Sequence, residues 1–86
     1  MSDSQRYDVL LLNDDETPMD FVVQVLQDVF EIDFDNACKL MLGIHHNGKG
    51  VCGIYERKEA EAKVAEVLAL ASEHKHPLKC TLEEMR

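Results

Sequence analysis

No apolar run in this 86-residue chain approaches the roughly 20 residues that a membrane-crossing helix needs. The opening stretch, Met1-Ser2-Asp3-Ser4-Gln5-Arg6, lacks the basic and then apolar layout of a secretory signal, so a cytoplasmic location is expected. Basic residues are scarce, 9 against 17 acidic ones, which leaves a net charge of −8. That deficit argues against nucleic acid and anionic lipid as partners, because like charges repel and no counterions are released. It favours cationic groups, and the α-ammonium of another protein chain is one of these. Cysteine is limited to Cys38, Cys52 and Cys80, an odd number, far apart and without a CxxC pair. In a reducing compartment they read as small core residues. Repeats, linkers and low-complexity segments are missing too. One domain is expected, and a hydrophobic share of 45% is enough to give it a core.

What is present follows clear periods. Tyr7-Asp-Val-Leu-Leu-Leu12 reads as a buried strand, closed by the polar turn Asn13-Asp14-Asp15-Glu16. Thr17-Pro18 then gives a helix start, with Thr17 as the expected cap and Asp20 three residues beyond it. Phe21, Val22, Val25, Leu26, Val29 and Phe30 form one apolar stripe on that first helix. Asp33 can cap a second helix whose apolar residues, from Phe34 to Ile44, occupy more than one side, as in a sandwiched helix. Asn47-Gly48-Lys49-Gly50 stops it, and Val51 to Tyr55 makes a short strand in which Gly53 suggests a close backbone approach. Residues 57–73 read as a third helix with Ala60, Val64, Val67, Leu68 and Ala71 inward and a Glu59–Lys63 pair outward. After Pro77, the alternation of Leu78, Cys80 and Leu82 with polar residues predicts a final strand. The expected fold is α+β, ordered β-α-α-β-α-β. A three-stranded antiparallel sheet is covered by three helices on one face.

Two segments carry possible chemistry. The first is the turn at residues 13–16, three carboxylates and an amide before a helix. Part of that acidity simply complements the positive end of the helix. The turn also looks like the acidic start of a phosphoryl-accepting receiver domain. That domain needs a later strand ending in Asp and a longer chain, whereas Val51 to Tyr55 ends in no Asp. A calcium loop would need a Gly and a distant Glu that the turn lacks. The second segment is Met41-Leu42-Gly43-Ile44-His45. Met41, Ile44 and His45 stand at i, i+3 and i+4 on one helical face, either as plain core or as the floor of a pocket with an imidazole at its rim. His45-His46, His74-x-His76 and the cysteines match no zinc spacing. Nucleophile elbows, phosphate loops and dinucleotide motifs are missing, so no enzyme activity, cofactor or metal is expected.

Tyr7-Asp-Val-Leu-Leu-Leu-Asn-Asp-Asp-Glu-Thr-Pro-Met-Asp-Phe-Val-Val23 resembles the opening of the ClpS family, adaptors of the Clp protease that read N-degrons. The likeness continues through Lys39 to His45, Gly48 to Gly53, Glu61 to Val64 and His76 to Cys80. The family's fold, similar to the C-terminal domain of the ribosomal stalk protein, agrees with the order of elements above. The resemblance implies that Asn13, Asp14 and His45 hold the α-amino group of a destabilising first residue (Leu, Phe, Tyr or Trp). By the same likeness, Thr17, Met19, Val22, Met41, Ile44 and Leu78 line an apolar pocket for its side chain. It also implies a contact with the N-terminal domain of a ClpA-type unfoldase through Lys58, Glu61 and Lys63, Lys58 standing where the family pattern has Glu. Family members often carry a longer N-terminal arm used in delivery. Here residues 1–6 read as a short flexible arm and 7–86 as the core domain. The expectation is therefore a monomeric, non-catalytic peptide-binding adaptor. The alternative is a stalk-like interaction module, which has no need of an ammonium site.

Overall fold

In a computed structural model that describes residues 5–85, the elements run β1 (Tyr7–Leu12), α1 (Met19–Asp28), α2 (Phe34–Asn47), β2 (Lys49–Tyr55), α3 (Arg57–Glu73) and β3 (Lys79–Glu84). The order and the class agree with the sequence. Of the expected arm, residues 1–4 lie outside the described residues, while the Arg6 carbonyl accepts a bond from the Met85 N–H at 2.9 Å.

The most apolar strand takes the centre. The sheet order is β2-β1-β3, and β1 pairs antiparallel with both neighbours. Alternation along β1 sends Val9 and Leu11, each 0% exposed, into the core. Leu10 is buried on the opposite face, between Val51 and Thr81 in the ladder. There a Lys49–Glu83 contact at 3.9 Å runs diagonally across it. A bulge at Val9/Leu10 leaves Cys52 as the extra residue of β2 and turns it inward, where it is buried. Cys80 is buried as well and Cys38 half-buried, as small core residues would be.

Helix α1 buries Phe21, Val22, Val23, Val25 and Leu26. Each such side chain contributes about 1.5–3 kcal/mol through removal from water. Leu26→Ala alone would cost about 2–5 kcal/mol. Its start differs from the expected one. Thr17 does not cap the helix; Pro18 takes that position without a side-chain cap, and its carbonyl accepts from Phe21 and Val22. The Thr17 hydroxyl is drawn instead to Asp14, a stronger, charged acceptor. Asp33 does cap α2, accepting from the Asn36 backbone at 3.3 Å.

Helix α2 is covered on two sides, but less fully than a sandwiched helix would be. Only Ala37 and Ile44 are buried, and Phe34 is 59% exposed. The small sheet covers one side, α1 another, and the rest faces outward. On α3, Leu68 also faces outward, and Leu70 packs against the core beside Val64. The expected Glu59–Lys63 pair gives way to two other contacts. Arg57 bonds Glu61 at 3.1 Å, and the Lys63 ammonium bonds the Val29 carbonyl at 2.8 Å. That carbonyl ends α1, where the last turn leaves its acceptors unpaired and carries negative partial charge. Gly53 is closely approached by the Tyr55 ring, the nearest atom 2.5 Å from where a Cβ would stand.

Candidate functional site

The turn after β1 is built around one carboxylate. Asp14 Oδ1 accepts from the backbone N–H groups of Glu16 at 2.8 Å and Thr17 at 2.7 Å. Its Oδ2 accepts from the Thr17 hydroxyl at 2.7 Å. An Asp that bonds the backbone just ahead of it fixes a turn that would otherwise have several conformations. Partial burial alone would raise the Asp14 pKa. The hydrogen bonds from Thr17 and Glu16, helped by the charge of His76, outweigh that and hold it below the ordinary 3.8. Asp14 is thus an anion at neutral pH. A carboxylate offers about four acceptor sites, so Oδ2 retains one for an outside donor. Thr17 is the one buried polar side chain among the described residues, and its hydroxyl is satisfied.

A second connection joins this turn to the far end of α2. Gly48 closes that helix in the left-handed region at φ 92°, and its N–H bonds the Ile44 carbonyl at 2.8 Å. A residue with a Cβ adopts this geometry poorly. The Gly48 carbonyl in turn accepts the Asn13 N–H at 2.9 Å. Asn13, from the first loop, therefore stands beside the last turn of α2, which carries Ile44 and His45.

Between them lies a cavity of about 120 Å³. Drug-sized ligands occupy pockets of about 300–1,000 Å³, so this one fits a side chain and not a large cofactor. Its polar rim is Asn13, Asp14, Asp15 and His45, with Thr17 behind them. Its apolar wall comes from Met19 and Val22 of α1, Met41 and Ile44 of α2, and Leu78 just before β3, with Leu12 at the end of β1. All nine residues singled out for an amino group and a pocket lie on this one wall. Asn13 and His45 are exposed, free to reach a ligand, while Thr17, Val22, Ile44 and Leu78 are buried.

Sequence reasoning missed Leu12 and Asp15. Asp15 belonged to the acidic turn but received no role. Leu12 looked like plain strand core, yet its parity places it with Asp8 and Leu10, away from Val9 and Leu11. Alternation along β1 gives no signal for it, because that parity points away from the helices that supply most of the wall.

Lys58, Glu61 and Lys63 are not on the cavity wall; all three lie on α3. Lys58 and Glu61 are exposed, whereas Lys63 is half-buried, bonded to Val29 and 5.7 Å from the Tyr55 ring centre. Among the described residues, no three metal-ligating side chains converge, and no helix is long and apolar enough to cross a membrane.

The arrangement can hold a cation at its rim and one apolar side chain within. Residues 2–81 match the model of a family described as "ATP-dependent Clp protease adaptor protein ClpS". The ATP-dependent Clp protease adapter protein ClpS of Xanthomonas campestris pv. campestris (strain 8004) is 54% identical over 79 residues, covering 92% of this chain and 74% of that one. The protein of that name in Xylella fastidiosa (strain M12) is also 54% identical over 79 residues, with the same 92% and 74% coverage. A solved structure, Agrobacterium tumefaciens ClpS2 bound to L-phenylalaninamide, matches with a TM-score of 0.91 at 40% identity. That match covers 94% of this chain and 98% of the other.

Proposed function

This chain belongs to the ClpS family of Clp protease adaptors, and from that premise we propose that its cavity reads the first residue of other proteins. Substrates begin with Leu, Phe, Tyr or Trp and keep a free α-amino group. Asn13, Asp14 and His45 hold that group, and Thr17, Met19, Val22, Met41, Ile44 and Leu78 surround the side chain. The observation that carries this reading is that the Asp14 anion, the Asn13 amide and the His45 imidazole share one small cavity with an apolar wall. The ligand of the Agrobacterium relative supports it too. Phenylalaninamide is a phenylalanine whose amine is free and whose carboxyl is an amide, as at the start of a chain.

A protein α-amino group has a pKa of about 7.7–8.0 and is mostly ammonium at neutral pH. Asp14 supplies the charge, while the Asn13 carbonyl and an unprotonated His45 nitrogen supply further acceptors. A charge-assisted hydrogen bond is worth about 1.5–3 kcal/mol. Burial of a Leu or Phe side chain adds about 1.5–3 kcal/mol. Neither offsets the cost of association, at least about 4 kcal/mol, by a useful margin. Together, with several bonds to the amine, they approach the roughly −8 kcal/mol of micromolar binding. An internal Phe offers an amide where the ammonium should be, so it is ignored.

The captured protein is then passed to the N-terminal domain of a ClpA-type unfoldase. On α3 the exposed Lys58 and Glu61 are the available contacts; Lys63 takes part through its stem, since its ammonium is held by Val29. No bond is made or broken on the adaptor in this role.

Fluorescence polarisation tests the reading directly. A peptide that begins with Phe should bind at micromolar concentration, and its N-acetylated twin should lose at least about a hundredfold, the value of the ammonium contacts. Equal binding of both forms would remove the amine clamp.

A further inference from the structure

The cavity does not end at its apolar wall. Met19 and Met41 also face a groove of about 520 Å³ between α1 and α2. Val23, Gln24 and Gln27 of α1 form one bank, and Cys38 and Phe34 of α2 the other, with Asp20 at the edge. Phe34 at 59% and Met19 at 50% exposure leave a good deal of apolar surface there uncovered. Soluble domains keep such contiguous patches small unless something docks on them.

We propose that this groove receives the third residue of the same substrate chain whose first residue fills the cavity, and that it prefers an apolar side chain there. The inference rests on the first-residue reading above, because continuity with that cavity identifies the occupant. Spacing sets the position. An extended chain advances about 3.3 Å per residue, and alternate side chains point the same way. When side chain one points into the adaptor, side chain two points out and side chain three points in again, about 6.6 Å further on. Along α2, Cys38 stands three residues before Met41 and Phe34 seven, or about 4.5 and 10.5 Å at the helical rise. The third side chain falls between them. Gln24 and Gln27 can bond the passing backbone without adding charge.

A matched peptide series, Phe-Ala-Ala-Ala, Phe-Leu-Ala-Ala and Phe-Ala-Leu-Ala, each free and N-acetylated, tests this by fluorescence polarisation. Leucine at position three should tighten binding about tenfold over alanine, the effect of partly burying one Leu, and leucine at position two should not. The ratio between the third and first peptides should collapse towards one in Phe34→Ser, a change at a solvent-facing position. Iodoacetamide gives a second measurement. Burial pushes the thiols of Cys52 and Cys80 up to about 12 and about 11, so alkylation reports on half-buried Cys38. Phe-Ala-Leu-Ala at saturation should slow it more than Phe-Ala-Ala-Ala does. A ratio near one in the unmodified protein, a ratio unchanged in Phe34→Ser, or equal protection by both peptides overturns the groove. In those outcomes the cavity reading stands so long as the free Phe peptide binds and its acetylated form does not. Failure of that pair overturns both.

Discussion

The polar rim and the apolar wall of the cavity are held in place by different physics. The rim is bonded: Asp14 is fixed by three hydrogen bonds, and Asn13 is tied to Gly48. The wall is packed, and its most exposed member, Met19, has a flexible thioether side chain that is half in solvent. Bonded groups have few arrangements, whereas a packed methionine has several. On the proposed reading, a cavity built this way is strict about the charge at its mouth and tolerant about the side chain within. That suits a receptor for several different first residues that share one ammonium.

Substitutions can break this contrast at either side. Asp14→Asn strikes the rim hardest, because it removes the charge while an amide oxygen can still serve the turn. Binding of a Phe-starting peptide should fall about a hundredfold, a far larger change than that in stability, since a hydrogen bond to a charged group is worth about 1.5–3 kcal/mol. His45→Ala comes next, at roughly ten- to a hundredfold by calorimetric titration, and an unchanged titration would place His45 outside the site. Met19→Ala acts on the wall and should alter selectivity more than affinity. Peptides starting with Ile or Val should gain about fivefold relative to Phe, given the transfer energy of one or two methylenes. Should Met19→Ala instead abolish binding of every peptide, the wall would be as rigid as the rim and the contrast would vanish. The smallest effect concerns acid. The Asp14 pKa is lower folded than its ordinary 3.8, so its contribution to stability is present above that value and fades as pH falls through the folded one. The difference in urea midpoint between the parent and Asp14→Asn should therefore shrink as pH is lowered below 3.8. A constant difference would mean that the Thr17 bonds add nothing.

Much of the architecture was legible because period and punctuation agree along the chain. The stripe from Phe21 to Phe30, the Asp33 cap, the Gly48 stop and the alternation after Pro77 each have one plausible reading, and the elements follow them. Legibility failed where two residues compete for one partner. Thr17 was suited to cap α1, but the neighbouring Asp14 carboxylate took its hydroxyl. Lys63 had Glu59 one turn away, yet the unpaired carbonyl of Val29 drew it across to α1. The second competitor is invisible in a list of helical spacings, since Val29 is 34 residues distant from Lys63. The exposure of α2 failed for another reason. Its apolar residues could be counted, but how many layers would cover them could not.

Taken alone, the sequence determined the strands and helices, the acidity of the first turn and the pairing of apolar residues with an imidazole at Met41, Ile44 and His45. Those follow from interactions within a few residues, and local spacing records them. Only the tertiary structure decided that Asn13 would stand beside the last turn of α2, through its bond to Gly48, and that Leu78 would close the cavity from the opposite end of the chain. Contacts of that kind depend on how the sheet and helices pack as a whole, because each is made by residues whose own neighbours in sequence carry no sign of the partner.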